Sequence, residues 1–289
     1  MRRVCIVLLL GLTASLDAQN LQLPLKDGSF RFAVIGDSGT GGSEQLEIAK
    51  QLAVHHGKFP FELAIMMGDN LYGSEQPRDY EKKFEQPYKP LLDAGVKFYA
   101  ALGNHDDPNQ RFYKPFNMNG ERYYSFRPKA GVRFFALDSN LMDQKQLDWL
   151  DKELTASGSD WKICFFHHPP YSSGAEHGSN VNLRQQLEPL FLKHGVSAVF
   201  TGHEHFYERI KPQKGIAYFI VGSSAKLRRG DIKQSELMAK GFDQGFTFML
   251  AEIAGDDLYF QTISEKGRTI DSGVIRRGNT DRTAGAVRR

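Results

Sequence analysis

Short apolar runs alternate along this chain with stretches of helical spacing, and no unit recurs at a fixed period. Phe30 to Ile35, Leu63 to Met67 and Val96 to Leu102 read as three strands. Between them, a helix is predicted from about Ser43, with Leu46, Ala49 and Ala53 on one face and a stop at Gly57, and another around Asp79 to Leu92. Arg122 to Phe126, Val132 to Leu137 and Trp161 to Phe166 predict further strands, with a helix near Asp143 to Leu154. Leu183 to His194 predicts a helix closed by Gly195, and Ala198 to Phe200 a short strand after it. From Ile216 onward the pattern is β, including Gly245 to Ile253 and Asp257 to Ile263. Early βαβ units followed by later strands imply an α/β (α+β) fold of two packed sheets with helices outside them, and no linker divides it.

The ends read differently. Met1-Arg2-Arg3 is a basic start, Val4 to Leu12 is nearly all apolar, and small and polar residues lead to Ala18-Gln19. That order predicts a signal peptide over 1–18, a domain over 19–275 and a secreted or periplasmic destination. Residues 276–289 are basic and glycine-containing, a composition expected of a disordered tail. Of the two cysteines, Cys5 falls in the signal segment, so Cys164 has no partner and is expected to be a buried thiol.

A formal charge of +3 is too small to argue for nucleic acid, and no segment beyond the leader could span a membrane. Local chemistry carries the argument. Five predicted strands each end in a tight turn presenting Asp, Asn or His, and sites in such sheets lie beyond the carboxyl ends of strands. Converging ends would gather Asp37, Asp69, Asn104, His167, His203 and His205. Tyr72, three residues after Asp69, would join them through a helical turn, and His203 and His205, two apart, would point one way while Glu204 points the other. Such donors suit hard or borderline metals, and their number fits two ions sharing a carboxylate. Paired ions about 3.5–4 Å apart stabilise both oxygens of a phosphoryl transfer. A ferric and a divalent ion bring about +5, and two carboxylates, a phenolate and a hydroxide remove about 4, which leaves an attraction for phosphate.

Asp37-Ser38-Gly39, Gly68-Asp69-Asn70-Leu71-Tyr72, Gly103-Asn104-His105-Asp106, the His167-His168-Pro169 turn and Gly202-His203-Glu204-His205 resemble, in order and spacing, the blocks of purple acid phosphatases. These are calcineurin-like metallophosphoesterases, and Ser173 to Gly178 and the closing strands are similar to the small, mammalian-type members. The resemblance implies a four-layer αββα sandwich and an acid phosphatase acting on phosphate monoesters of small molecules or phosphoproteins. It implies that Asp37, Tyr72 and His205 hold Fe(III), that Asp69 bridges, and that Asn104, His167 and His203 hold a divalent ion (Fe, Zn or Mn). It further implies that His105 faces the leaving oxygen and His177 assists it. Asp106 is expected to orient the His105 ring, as outer carboxylates do.

Two other readings compete. Phosphodiesterases of the wider superfamily typically carry histidine two residues after the first aspartate, where this chain has Gly39. A metal-binding protein without turnover would need no histidine such as His105 at the cleft. His168 is expected either behind the ligands or at the rim. His56 and His194, each before a glycine at a helix end, and the basic loop Lys226-Leu227-Arg228-Arg229 are expected to be structural or solvated.

Overall fold

In the computed structural model, which describes residues 21–277, the strands assemble into two mixed sheets. The predicted signal segment and residues 278–289 of the predicted tail lie outside the described residues. The first sheet holds β1 (Phe30–Ile35), β2 (Leu63–Met66) and β3 (Lys97–Ala100), all parallel. The second holds β4 (Tyr124–Lys129), β5 (Val132–Ala136), β6 (Trp161–Phe165), β7 (Ala198–Thr201), β8 (Tyr207–Gln213), β9 (Ile216–Val221) and β10 (Met238–Phe242). Its order is β10-β8-β9-β7-β6-β5-β4, with a parallel centre and antiparallel margins. The chain then returns to the first sheet as β11 (Thr247–Ala254), β12 (Asp257–Ser264) and β13 (Thr269–Arg276). β11 lies antiparallel beside β1 in the register Phe30↔Ile253. Arg276 thus closes a strand rather than opening a tail.

Alternation along the strands builds the layers. Phe134, Ile163, Phe165, Ala198, Phe200 and Phe219 belong to the core between the sheets, where Phe32 meets Phe134 at 5.2 Å between ring centroids. Their neighbours Phe135, Cys164, Phe166, Val199 and Tyr218 face the opposite way, onto Leu150 and Leu154 of α4 (Gln144–Ala156) and Leu187 and Phe191 of α5 (Val181–His194). Cys164 is a buried free thiol in that outer layer. Helices also cover the first sheet, so the fold is the αββα sandwich.

Two helices depart from the sequence expectation. α1 (Ser43–His56) buries Gln45, Ile48, Ala49, Leu52 and His55, while Leu46 is 51% exposed. The buried stripe is thus one residue, about 100°, out of phase with the predicted face. The helix expected near Asp79 to Leu92 is broken into α2 (Pro77–Tyr80), a π-helical turn (Glu81–Glu85) and α3 (Gln86–Asp93). Pro87 has no N–H to give to the Lys83 carbonyl, so the ladder loosens there. That carbonyl accepts instead from Gln45 Nε2 at 2.6 Å, which explains an amide inside α1's apolar face.

Candidate metal centre

β1, β2, β3, β6 and β7 all end at one edge of the sandwich, and their turns carry the donors predicted from sequence. Asp37, Asp69 and His203 adopt left-handed backbone, with φ of 54°, 50° and 68°. Such conformations are uncommon outside glycine and persist only where neighbours enforce them. Here Asp37 N donates to Gly68 O (3.1 Å), Gly39 N to Asp69 O (3.3 Å) and Tyr72 N to Gly39 O (2.9 Å), lacing the turns together. The lacing demands bare backbone. A Cβ on Gly103 would stand 2.2 Å from Asp69 Oδ1, and one on Gly39 only 1.8 Å from Asn70 O. No side chain fits at residue 39, so the histidine ligand of the diesterase alternative has no place here.

The donors form two adjoining groups. In one, buried Asp37 and Asp69 meet His205: His205 Nε2 lies 3.4 Å from Asp37 Oδ1, and the Tyr72 hydroxyl is 3.2 Å from Asp37 Oδ1 and 3.3 Å from His205 Nε2. In the other, Asn104 Oδ1 lies 2.9 Å from His167 Nε2 and 3.0 Å from His203 Nδ1, and those two nitrogens are 3.1 Å apart. Asp69 stands between the groups, with Oδ1 3.5 Å from His167 Nε2. Two local expectations are corrected. No helical turn joins Asp69 to Tyr72; the left-handed Asp69 and the Tyr72–Gly39 hydrogen bond deliver the phenol. Nor is His203 to His205 extended: the bend at His203 sends the two imidazoles to different groups, with Glu204 directed away beneath them.

These contacts leave lone pairs facing lone pairs. His167 Nδ1 must donate to the Met67 carbonyl (2.8 Å), because a carbonyl only accepts; its Nε2 therefore points an unshared pair at Asn104 Oδ1. Burial holds His167 well below the usual imidazole range, with the neighbouring His168 adding to the effect. Burial and then His167 push His203 down to about 2, and burial and then Arg228 push His205 to about 4. All three imidazoles are thus neutral at physiological pH. Burial and then Asp69 hold Asp37 well above the usual carboxylate range, and burial with Asp37 and Asp69 raises the Tyr72 phenol. Neutral imidazoles converging on each other, beside the Asp37 carboxyl and a phenol that burial holds back from ionising, form a set that cations would relieve. The donor chemistry therefore fits two metal ions.

The groups around this set sort differently from the sequence reading. His105 is exposed at the mouth, its ring 5.0 Å from that of Tyr72, and its backbone N–H donates to Asp69 Oδ1 (3.0 Å). His177 is exposed and lies over His203, with ring centroids 4.3 Å apart. Asp106 does not reach the His105 ring. Its carboxylate accepts from Gly103 N (2.7 Å), Leu71 N (3.1 Å), Asn70 Nδ2 (3.1 Å) and Gln110 Nε2 (2.8 Å), bracing the Asp69–Tyr72 loop against the Asn104–His105 loop. Asp106 therefore positions two loops rather than one ring. His168 bonds Ser139 Oγ through Nδ1 (2.9 Å), its ring lies tilted 4.4 Å from that of His203, and it has a ring nitrogen within 4.8 Å of the His167 and His203 donors.

The basic loop, expected to be solvated, returns to the site. Lys226 Nζ lies 4.4 Å over the Tyr72 ring, and Arg228 N donates to His205 O (3.0 Å). Glu204 accepts from Gly178 N (2.7 Å) and Ser172 Oγ (3.1 Å), tying the His177 loop to the ligand turn. Neither Glu204's anchoring nor this loop's return has a local sequence signal, because both depend on segments distant in the chain.

Comparison with known proteins agrees with this geometry. The family described as calcineurin-like phosphoesterase matches residues 30–207. Purple acid phosphatase 17 of Arabidopsis thaliana is 26% identical, over 88% of this chain and 87% of its own. Human tartrate-resistant acid phosphatase type 5 is also 26% identical, over 73% of this chain and 79% of its own. The structure of GAP50, the anchor in the inner membrane complex of Plasmodium, superposes with a TM-score of 0.75 at 19% identity, covering 88% of this chain and 90% of that one.

Proposed function

Because this chain belongs to the calcineurin-like phosphoesterase family, we propose that it is an exported acid phosphatase hydrolysing phosphate monoesters at a paired Fe(III)–M(II) centre. One observation carries the reading: a tyrosine hydroxyl completes the Asp37–Asp69–His205 group beside the Asn104–His167–His203 group. Asp37, Tyr72 and His205 would hold the ferric ion, Asn104, His167 and His203 the divalent one (Fe, Zn or Mn), and Asp69 both. When bound, the ions offset the charge of the phosphoryl oxygens and make water a competent nucleophile in acid.

The chain's own residues supply the rest. The Met67 carbonyl fixes the His167 tautomer and ring direction. His105, at the mouth and pinned through its backbone to Asp69, presents its imidazole N–H to the leaving oxygen and gives up that proton as the ester bond breaks. His177, stacked on His203, offers a second N–H to the phosphoryl group. Similarity to GAP50 concerns the fold alone, and His105 at the mouth is the feature that a merely metal-holding or anchoring protein would not need.

Protein purified in air is expected to be coloured by phenolate-to-Fe(III) charge transfer and to cleave p-nitrophenyl phosphate faster than its bis-ester. Free imidazoles carry their proton below about pH 6.5, so the rate should peak in acid and fall on the alkaline side. Tyr72→Phe should bleach the visible band while most metal stays bound. Retention of the band in that variant, or a diester preference with an alkaline optimum, would defeat the assignment.

A further inference from the structure

The ligand turn holds a residue that serves neither donor group. Glu204, between His203 and His205, is fully buried. Its Oε1 accepts from Ser172 Oγ (3.1 Å) and Gly178 N (2.7 Å), at the two ends of the loop that carries His177. Two other buried acids grip the same loop: Glu208 Oε2 accepts from Ser173 N (2.9 Å) and Asp231 Oδ1 from Glu176 N (3.0 Å). They differ in what they connect. Glu208 lies on β8 and Asp231 on the loop after β9, whereas Glu204 joins the amide next to His177 directly to the turn that presents two metal donors. The fit is close, since a Cβ on Gly174 would stand 2.5 Å from Glu204 Oε1. Arg228 Nη1, 3.8 Å from Glu204 Oε2, is beyond hydrogen-bond range, so the hydrogen bonds of this carboxylate go to the loop.

His177 needs such a hold. Its side chain is exposed, over the ring of His203 (4.3 Å between centroids) and 3.4 Å from Arg228 Nη2, so the placement of its imidazole depends on the loop backbone. A buried carboxylate has given up water, and the donors that replace it are bound by charge-assisted hydrogen bonds. We propose that Glu204 is a positioning residue, fixing the His177 imidazole beside His203 through the Gly178 amide and the Ser172 hydroxyl. One turn thereby presents metal donors and sets the distance from them to His177. The inference rests on the phosphatase reading above, in which His177 offers an N–H to the phosphoryl group.

The test is a double-mutant cycle on kcat/KM for p-nitrophenyl phosphate in metal-loaded protein. A hydrogen bond to a charged group accounts for about a tenfold effect, so His177→Ala should cost about that factor. Glu204→Ala should cost about the same, and the double variant no more than either, because the second change removes a side chain already misplaced. Glu204→Gln, which keeps an acceptor oxygen in the same shape, should retain most of the activity. Gly174→Ala, which displaces the carboxylate without altering the ligand turn, should reproduce the loss with metal content and visible band unchanged. Hydrogen exchange at the Gly178 amide should quicken in the Glu204→Ala and Gly174→Ala variants whether or not substrate turns over. Losses that multiply to about a hundredfold in the double variant, or unchanged exchange, overturn the proposal. Metal loss in step with activity in both the Glu204→Ala and Gly174→Ala variants overturns it too, by making Glu204 a prop of the metal donors alone. If His177→Ala changes nothing while the wild type cleaves substrate, there is no role to position, and the proposal fails although the phosphatase reading stands. Wild-type protein that cleaves no phosphate ester removes that reading itself, and the proposal with it.

Discussion

Asp69→Asn is expected to strip metal from both halves of the centre at once. Asp69 is buried, groups with Asp37 and His205, and lies 3.5 Å from His167, so its carboxylate reaches both donor sets. Asparagine keeps its shape but removes the negative charge that would be shared by two cations. Outer partners of metal ligands alone command about 10–100-fold in affinity, and a shared ligand should exceed that scale. Metal analysis after gel filtration should find both ions depleted together, with phosphatase activity lost in proportion and circular dichroism preserved. A variant that keeps a full complement of one metal and loses only the other would place Asp69 in a single site. Asp37→Asn, by contrast, should deplete mainly the Tyr72 side.

His105→Ala should have the second largest effect, of a different kind. Charge builds on the leaving oxygen only as the ester bond breaks, so the loss belongs in kcat rather than KM. For alkyl esters, whose leaving groups are poor, the expected fall in kcat is about 10²–10⁴-fold. Aryl phosphates with activated leaving groups need less help and should suffer less. Equal losses on both classes would mean that the His105 ring only positions the site, packed against Tyr72.

Much of this site is legible in the sequence because each donor follows directly on a buried strand, where an apolar run stops and a glycine precedes Asp37, Asp69, Asn104 and His203. Position along the chain then implies position at the sheet edge. Conformation was less legible. Left-handed Asp37, Asp69 and His203 replace the helical and extended geometry that spacing suggests, since loop-to-loop hydrogen bonds override local preference. The partners of Asp106 are hidden for a related reason: adjacency to His105 in sequence says nothing about Asn70 and Gln110, which reach the carboxylate through the folding of two loops. Lys226 and Arg228 look like a solvated run until β9 and β10 bring their loop back over Tyr72 and His177. On α1, Gln45 breaks the apolar stripe because its amide accepts from Gly41 N and donates to the Lys83 carbonyl that Pro87 leaves free.

The pairing of β1 with β11 bears on the order in which the molecule can be made. Every donor, from Asp37 to His205, lies ahead of Thr247, yet the strand that leads to Asp37 has β2 on one flank and β11 on the other. That edge of β1 stays unpaired until Ala251 and Ile253 arrive, and such distant pairings are slow to form. A chain emerging from a ribosome or a translocation channel therefore carries its complete ligand inventory well before it has a finished scaffold. Ions captured at that stage would meet an open-edged sheet. Metal loading is thus best timed after the last hairpin docks.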